Sequence, residues 1–263
     1  MKRTLLRLST ICLAATALAP LPVFAKHHEA HEKTGIDVAI TNAALTAAAG
    51  RSEEDKARDA SRKPAEVLSF LGLKRGDSVL DLIASGGWYS VAAAIATGPE
   101  GKVYAQNPAA ALQLRDGAYE KEIAARLAAN NLSQIERLNS EITDLGVPDD
   151  SIDVAITALN FHDVYNGFGA PAAIGMLLAL KAKLKPGGVL GVIDHAGDPE
   201  GDNKAFHRID PALAVAAAEA AGFTVERNDE LLAGTDDDHM KNVFDPATRG
   251  KTDRFILKLT KPE

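Results

Sequence analysis

The sequence is poor in cysteine and in aromatic residues. Its 263 residues include one cysteine, Cys12, one tryptophan, and only 5% aromatic residues in all. Because Cys12 lies in an N-terminal apolar run, the rest of the chain can form no disulfide and offers neither a thiol nucleophile nor a cysteine ligand for a metal. Stability must therefore come from a hydrophobic core, and the 46% hydrophobic residues can supply a single one.

The N-terminus lacks an apolar run long enough to form a stable membrane span. Lys2, Arg3 and Arg7 precede a short apolar run at 11–18, and the segment closes at Ala25. A charged start, a short apolar run and a small residue at the cleavage point are typical of a secretory signal peptide. We predict a signal peptide at 1–25, export to the periplasm, and no stable membrane span after cleavage. The alternative is an uncleaved N-terminal anchor.

Positive charge is not in excess. The chain has 29 basic and 36 acidic residues, and removal of the predicted signal leaves 26 basic residues and a net charge of −10. Without a local basic patch, nucleic acid and anionic membranes would be repelled. We therefore expect a small-molecule partner and no nucleic acid. The oligomeric state stays open.

A polar lead and helices at 26–76 come before the main domain, which we place at 77–263. The histidines of the lead, His27, His28 and His31, indicate a solvated tail, since nothing fixes their geometry for a metal. Helical patterns follow at 36–49 and 51–73. In the second pattern, one helix face carries Asp55, Arg58, Asp59 and Arg62. These residues form surface ion pairs or, alternatively, Arg62 or Asp59 closes over a site.

From Asp77 onward, apolar β-branched runs alternate with helical patterns. We predict strands at 78–83, 102–107, 135–139, 152–157, 189–194, 223–226 and 254–259. Predicted helices lie at 88–96, 110–129, 171–184 and 210–221. The segment LKPGG at 184–188 is a predicted break before the fifth strand. The long polar connection between the last two strands indicates a surface excursion.

The most informative stretch is SVLDLIASGGWYS at 78–90. An apolar run is followed by Gly86 and Gly87 and then by a helical pattern, which is typical of the first strand, turn and helix of a doubly wound α/β sheet. Such a turn lies at the carboxyl edge of the sheet, where glycines allow a ligand to approach the backbone. The stretch predicts a small-molecule site.

Polar residues follow the fourth and fifth predicted strands, which are neighbours in this kind of sheet. The residues that we expect to meet at the carboxyl edge are Asn160, His162, Asp163, Asp194 and His195. This group could be completed by His207, Arg208 and Asp210, although Asp210 before a proline also fits a helix cap. Histidines and carboxylates together suit general base catalysis or a metal site. Each residue taken alone could equally be structural.

Several blocks from Arg51 to the C-terminus resemble class I methyltransferases that use S-adenosylmethionine. They include DASRKPAEVLSF, SGGWYS, LNFHDVYN, VIDHAG, HRIDPAL and GKTDRFILKL, and are similar to a bacterial group of predicted exported methyltransferase-like proteins. The resemblance implies a Rossmann-like α/β fold in which a seven-stranded sheet ends in an antiparallel hairpin and carries helices on both faces. It also implies S-adenosylmethionine as the cofactor.

The resemblance implies a set of cofactor-binding residues. The three glycine positions of the family's first motif correspond to Ile83, Ser85 and Gly87, so that only the last is a glycine here. Asn107 stands where the family has an acid that hydrogen-bonds to the ribose hydroxyls, and Glu141 matches the acid that hydrogen-bonds to the adenine amino group. The cofactor-binding residues that we expect are Asp81, Ser85, Gly86, Gly87, Tyr89, Asn107, Glu141 and Asn160.

For a methyltransferase, the implied mechanism is in-line displacement at the activated methyl group. We predict His162 as the base for a hydroxyl acceptor, oriented by Asp163 or Asp194, with His195 as the second choice. Two other hypotheses remain. The chain could be a non-catalytic protein that uses the fold to bind another small ligand, or His162, Asp163, Asp194 and His195 could hold a metal.

Overall fold

The computed structural model describes residues 33–263. The predicted signal peptide at 1–25 and the histidines His27, His28 and His31 lie outside the described residues, so those predictions remain open. Lys33–Glu263 form one compact unit. Within this unit, no helix is both long enough and apolar enough to cross a membrane.

Seven strands of the described chain form one mixed sheet in the order β3-β2-β1-β4-β5-β7-β6. The pairs among β1 to β5 are parallel, and β7 is antiparallel to both of its neighbours. The strand bounds are β1 Ser78–Leu82, β2 Lys102–Gln106, β3 Ile135–Leu138, β4 Ile152–Ala158, β5 Leu184–His195, β6 Thr224–Asn228 and β7 Arg254–Thr260. This confirms the predicted fold class, including the C-terminal hairpin.

Helices cover both faces of the sheet. The first four precede β1 in the chain, and their bounds are α1 Val38–Ala47, α2 Glu53–Ala57, α3 Asp59–Arg62 and α4 Pro64–Phe70. The others are α5 Trp88–Thr97, α6 Ala109–Asn130, α7 Phe161–Phe168, α8 Ala170–Lys183, α9 Asn203–Phe206 and α10 Pro211–Ala220. Helix α6 is interrupted by four residues with non-helical angles at 114–117.

The strands alternate their side chains between two buried layers, as a sheet covered on both faces requires. One layer joins Leu80 of β1 and Leu190 of β5 to α7, α8 and α10. The other joins Val79 and Ile193 to α4 and α5. Adjacent residues at a strand end therefore point into different layers.

Three local predictions differ from the structure. The single helical pattern at 51–73 is divided into α2, α3 and α4, and the second break occurs where Lys63 takes a left-handed φ of 42° directly before Pro64. The helix α7 was not predicted. The break LKPGG instead lies within β5, where Leu184 pairs with Ile152 and the register shifts before Val189.

The connection between β6 and β7 is more than a surface excursion. Leu232, Val243 and Thr252 are buried, although most of the connection is exposed. Asp237 from the same segment forms an ion pair with the buried Arg208 at 2.7 Å. Polar composition did not reveal this packing, because the buried contacts involve few residues spaced far apart along the chain.

Candidate functional site

The turn after β1 has an unusual backbone. Ile83, Ser85 and Gly87 have φ values of 51°, 50° and 78°. Only glycine adopts this left-handed region without a steric cost, so Ile83 and Ser85 are strained. The positive φ angles fall on the three positions that correspond to glycines in the methyltransferase motif. The turn therefore has a glycine-like backbone at all three positions, although two of them carry a side chain.

Two amide side chains at the end of β2 hold this turn. Gln106 accepts a hydrogen bond from the backbone nitrogen of Ile83 at 3.1 Å and donates to the carbonyl of Ser140 at 2.6 Å. Asn107 accepts from the backbone nitrogen of Ser85 at 2.8 Å and donates to its carbonyl at 3.2 Å. The side chain of Asn107, which we predicted at the ribose, is thus already bonded to the turn through both of its polar atoms.

Helix α6 packs over the two glycines. A side chain at Gly87 would place its Cβ 3.0 Å from Ile123, and one at Gly86 would come within 2.8 Å of Arg126. Arg126 also donates to the carbonyl of Gly86 and forms two hydrogen bonds of 2.8 Å with the carboxylate of Asp55. A side chain at Gly87 would therefore be strained and crowded by Ile123, whereas one at Gly86 would have to displace the ends of Glu122 and Arg126.

The other predicted cofactor residues lie around this turn. Asp81 is buried in β1 and accepts a hydrogen bond from the Ser90 hydroxyl at 2.6 Å, and burial raises the pKa of Asp81 to about 7. Asn160 donates to the carbonyl of Ile83 at 3.3 Å. Glu141 is exposed after β3 and makes no side-chain hydrogen bond within the described chain.

His162, at the start of α7, is bound by two carboxylates. Its Nδ1 lies 2.7 Å from Asp194 Oδ1, and its backbone nitrogen donates to Asp194 Oδ2, also at 2.7 Å. Its buried Nε2 lies 3.2 Å from Asp163 without the alignment of a hydrogen bond. Burial opposes the charge of this imidazole, but Asp194 and Asp163 outweigh it and raise the pKa of His162 to about 10. The two carboxylates therefore favour the positively charged imidazole, in which both ring nitrogens carry a proton.

His207 completes this polar group. Its Nδ1 lies 3.2 Å from Asp163, and its ring centre is 5.7 Å from that of His162. Within residues 33–263, His162, Asp163 and His207 are the one set of at least three potential metal ligands whose ligand atoms all lie within 4.8 Å of one another. The neighbouring Arg208 points away to Asp237, and Asp210 caps α10 by accepting from Ala212 at 2.8 Å.

His195 lies in the opposite layer. Its Nδ1 is 2.7 Å from the Thr252 hydroxyl, and its Nε2 has no hydrogen-bond partner in the described chain. Burial and the charges of Arg254 and His162 hold the pKa of His195 well below its usual value, so the imidazole is neutral at pH 7. Its ring centre is 6.0 Å from that of His162. The charged imidazole of His162 and the neutral imidazole of His195 are thus neighbours.

Helix α5 contacts the N-terminal helices through Trp88, next to the buried Tyr89. Tyr89 is buried, and burial raises its pKa to about 12, so the phenol is neutral. Trp88 packs edge-on against Tyr89 and donates from its indole nitrogen to the carbonyl of Asp55 at 3.1 Å. The guanidinium of Arg62 lies over the Trp88 ring at 4.8 Å. Arg62 therefore packs against α5, and its closure over a site stays a prediction.

Arg254 is the functional candidate that sequence reasoning missed. It is paired directly opposite His195 across β5 and β7, so both side chains leave the sheet on the same face. A cavity of about 350 Å³ opens on one side of Arg254, next to Ala196 and Asp210, and one of about 100 Å³ opens on the other, next to Ser61. The available signal was a charged residue at the start of an otherwise apolar strand.

The chain matches no family model and no curated protein sequence. Its structure is similar to an S-adenosylmethionine-dependent methyltransferase from Aquifex aeolicus, with 23% identity and a TM-score of 0.56 over 75% of this chain and 89% of that one. It is also similar to the [4+2]-cyclase SpnF, with 18% identity and a TM-score of 0.58 over 86% and 92%. A possible exported protein from Bordetella parapertussis shares 15% identity, with a TM-score of 0.54 over 87% and 80%. The chain has the class I methyltransferase fold.

Proposed function

We propose that this chain binds S-adenosylmethionine at the carboxyl edge of β1, β2 and β4 and transfers its methyl group to a small-molecule acceptor. The observation that carries the proposal is the turn after β1. Ile83, Ser85 and Gly87 keep left-handed angles at the three motif positions, although two of them bear a Cβ. A strained backbone is retained where the surrounding structure holds it, and such strain clusters at ligand sites.

The residues present fit this cofactor at the turn and at Glu141. The backbone of Ser85 to Gly87 would lie against its amino-acid part, and the free carboxylate of Glu141 would accept from the adenine amino group. Asn107 would contribute less than an acid, because its amide is bonded to Ser85. The cofactor supplies an activated methyl group, so the protein must align the acceptor and receive a proton.

We propose His195 as the proton acceptor in place of His162. Both ring nitrogens of His162 lie within 3.2 Å of a carboxylate, which leaves no free lone pair for an acceptor. His195 can act as the base in the tautomer whose Nδ1–H donates to the Thr252 hydroxyl, because the lone pair is then on Nε2. A base needs an unprotonated nitrogen within reach of the acceptor, and among these two histidines only His195 has one.

Calorimetric titration of the protein from Lys26 onward, first with S-adenosylmethionine and then with S-adenosylhomocysteine, tests the cofactor. We expect binding of both. Glu141→Ala should weaken it about tenfold or more, because a hydrogen bond to a charged group contributes about 1.5–3 kcal/mol. Glu219→Ala, which removes an exposed acid on α10, is the matched control and should bind like the parent protein. No binding by the parent protein would rule out the cofactor.

The fold alone does not decide the reaction, since SpnF, a [4+2]-cyclase, shares it. We propose a metal-dependent function as the second candidate. The buried Nε2 of His162 has no hydrogen-bond partner, and a cation between it, Asp163 and His207 would take the place of its proton. Asp194 on the opposite ring nitrogen would orient the ligand, as carboxylates commonly do for metal-binding histidines.

The metal hypothesis has a matched pair of variants. His207 and His239 both have left-handed backbones and the ring of each contacts one aspartate, but His239 belongs to no set of three ligand atoms within 4.8 Å of one another in the described chain. For a metal site, Zn²⁺ should raise the melting temperature of the parent protein and of His239→Asn, but not of His207→Asn. An equal response of the two variants would place the metal elsewhere.

We also propose that the chain is exported. The charged start and short apolar run support this, and the possible exported protein from Bordetella parapertussis shares the fold. Expression of the full chain in a Gram-negative bacterium, followed by periplasmic extraction and mass measurement, should yield a protein that begins at Lys26. A full-length product retained with the membrane would support the uncleaved anchor instead.

A further inference from the structure

The described chain contains three buried arginines, and one of them lacks a counterion. Arg51 and Arg208 each form a two-pronged ion pair, with Asp59 and Asp237 respectively, at distances of 2.6–2.9 Å. Within residues 33–263, Arg254 has no carboxylate within 4.0 Å. Arg254 is nevertheless only 6% exposed. A buried charge is costly unless it is paired, so Arg254 is the exception that needs an explanation.

The contacts of Arg254 are long and involve only neutral oxygens. Its guanidinium donates to Thr252 Oγ1 at 3.3 Å, to the carbonyl of Gly250 at 3.4 Å and to that of Ser61 at 3.5 Å. A guanidinium has five N–H donors in a planar fork that suits a carboxylate or a phosphate. These contacts position Arg254 without neutralising it.

A second arginine without an ion pair in the described chain lies nearby, and Asp55 and Asp81 attract its charge only from longer range. Arg62 follows Ser61, whose carbonyl Arg254 contacts, and both guanidinium groups lie near the buried Tyr89. Arg62 forms no side-chain hydrogen bond and no ion pair within the described chain, and it rests on Trp88. Two like charges in a largely buried space repel each other, and a bound anion would reverse this cost.

We propose that Arg62 and Arg254 together bind an anionic group, a carboxylate or a phosphate, of a small-molecule ligand. The group would enter beside Tyr89 and the free Nε2 of His195. Where the ligand is the methyl acceptor, this inference rests on the proposed function and makes the acceptor an anionic metabolite. The same chemistry could come from the amino-acid carboxylate of S-adenosylmethionine, and the experiment separates these sources.

Inorganic phosphate is a direct probe, because Trp88 is the only tryptophan and lies under Arg62. Phosphate titrated at constant ionic strength should change Trp88 emission with saturation. Phosphate should also raise the melting temperature by roughly 3–5 °C for each tenfold increase in its concentration above the dissociation constant. Arg62→Gln and Arg254→Gln should each raise that constant at least tenfold. Arg227→Gln, which removes an arginine already paired with Asp229 beside the larger cavity, should leave it unchanged.

The unfolding temperatures of the variants without phosphate show whether a loss of binding comes from damage to the fold. Arg62→Gln removes no hydrogen bond, and relief of the repulsion with Arg254 offsets the lost contact with the Trp88 ring, so it should unfold close to the parent temperature. Arg208→Gln should unfold at a lower temperature, since it leaves Asp237 buried and unpaired. If Arg62→Gln folds and binds phosphate as the parent protein does, or if the parent protein shows no saturable response, the inference fails.

A second arm identifies the source of the anion. S-adenosylhomocysteine carries the amino-acid carboxylate, and 5′-methylthioadenosine shares its nucleoside but lacks that group. If Arg254→Gln weakens the binding of S-adenosylhomocysteine but not of 5′-methylthioadenosine, the site holds the cofactor carboxylate. If it weakens the binding of neither compound, the anion belongs to the acceptor. Saturable phosphate binding that both arginine variants lose, in a protein that binds neither nucleoside, would support the anion site and overturn the proposed methyl transfer.

Discussion

Ser85 shows how the turn retains its backbone at a cost. Its φ of 50° is held by two hydrogen bonds with Asn107 rather than by its own preference. Ser85→Gly should therefore raise the free energy of unfolding by up to about 1 kcal/mol, because relief of left-handed strain outweighs the greater entropy of the unfolded glycine chain. Chemical denaturation measures this difference.

Ser133→Gly is the matched control for that prediction. Ser133 lies in an exposed turn without a positive φ. There, glycine relieves no strain and only increases the freedom of the unfolded chain, so stability should fall by about 0.4–1 kcal/mol. A loss at both positions would show that the angle at Ser85 carries no strain.

Asp81 provides a pH-dependent prediction. Burial raises its pKa to about 7 from an ordinary value of 3.8, against the opposing effects of the Ser90 hydrogen bond and the charge of Arg62. The folded state thus binds a proton that the unfolded state releases, and the stabilisation present at acid pH is lost as pH rises from about 4 to 7. Asp81→Asn cannot ionise. Its stability relative to the parent protein should therefore increase over this range by up to about 1.4 kcal/mol per pH unit.

Denaturation at pH 5, 6, 7 and 8.5 measures this difference, which should level off above pH 7. Ser90→Ala provides an internal check, because loss of its hydrogen bond should move the level region to higher pH. A difference that does not vary with pH would mean that Asp81 ionises normally when folded.

The sequence predicts where the polar residues of the site lie better than it predicts which hydrogen bonds they form. His162, Asp163, Asp194 and His195 could be placed at one edge because parallel strands end together. Their protonation could not be predicted, because it depends on which carboxylate each ring nitrogen meets. Asp194 binds His162 from the neighbouring strand, while His195, the next residue, faces the other layer.

At the scale of elements, helix α6 is joined to the N-terminal helices across the turn. Arg126 of α6 binds the carboxylate of Asp55 in α2, and both side chains are largely buried. Arg126→Met should destabilise the fold by about 3–5 kcal/mol, because it leaves Asp55 as a buried charge without its partner. Denaturation of the single variants and of Arg126→Met with Asp55→Leu measures the coupling, and the double variant should recover most of the loss.

The surface pair of Lys102 and Glu136 is the control for that cycle. Its two side chains are 44% and 50% exposed and lie 2.6 Å apart. Lys102→Met should cost no more than about 1 kcal/mol. If Arg126→Met costs as little, the buried pair does not hold α6 in place.

Six of the seven strands were predictable to within two residues from their apolar runs, whereas β5 begins five residues earlier than predicted, because Pro186, Gly187 and Gly188 lie within it. The N-terminal helices were not predictable in this way. A uniform helical pattern at 51–73 is divided by Lys63 before Pro64, and the division turns Arg62 toward Trp88. Periodicity records which residues share a face of one helix, and it does not reveal where tertiary contacts divide that helix.

At the scale of the whole molecule, the N-terminal helices belong to the same compact unit as the sheet. Lys33 contacts Asp77 and Asp153, each at 2.9 Å, so the start of the described chain is joined to the segment before β1 and to β4. Trp88 bonds to the carbonyl of Asp55 and lies next to Arg62. Its fluorescence therefore reports the contact between the N-terminal helices and α5.

We expect these helices to unfold with the sheet in a single transition. Trp88 fluorescence and far-ultraviolet circular dichroism should give coincident denaturation curves for the chain from Lys26 onward, as two-state unfolding requires. Arg126→Met is the informative variant, because it weakens the link between α2 and α6 without altering the sheet. An earlier fluorescence transition in the parent protein would mean that residues 33–76 unfold independently. Such local opening would give ligands access to Arg62 and Arg254 without global unfolding.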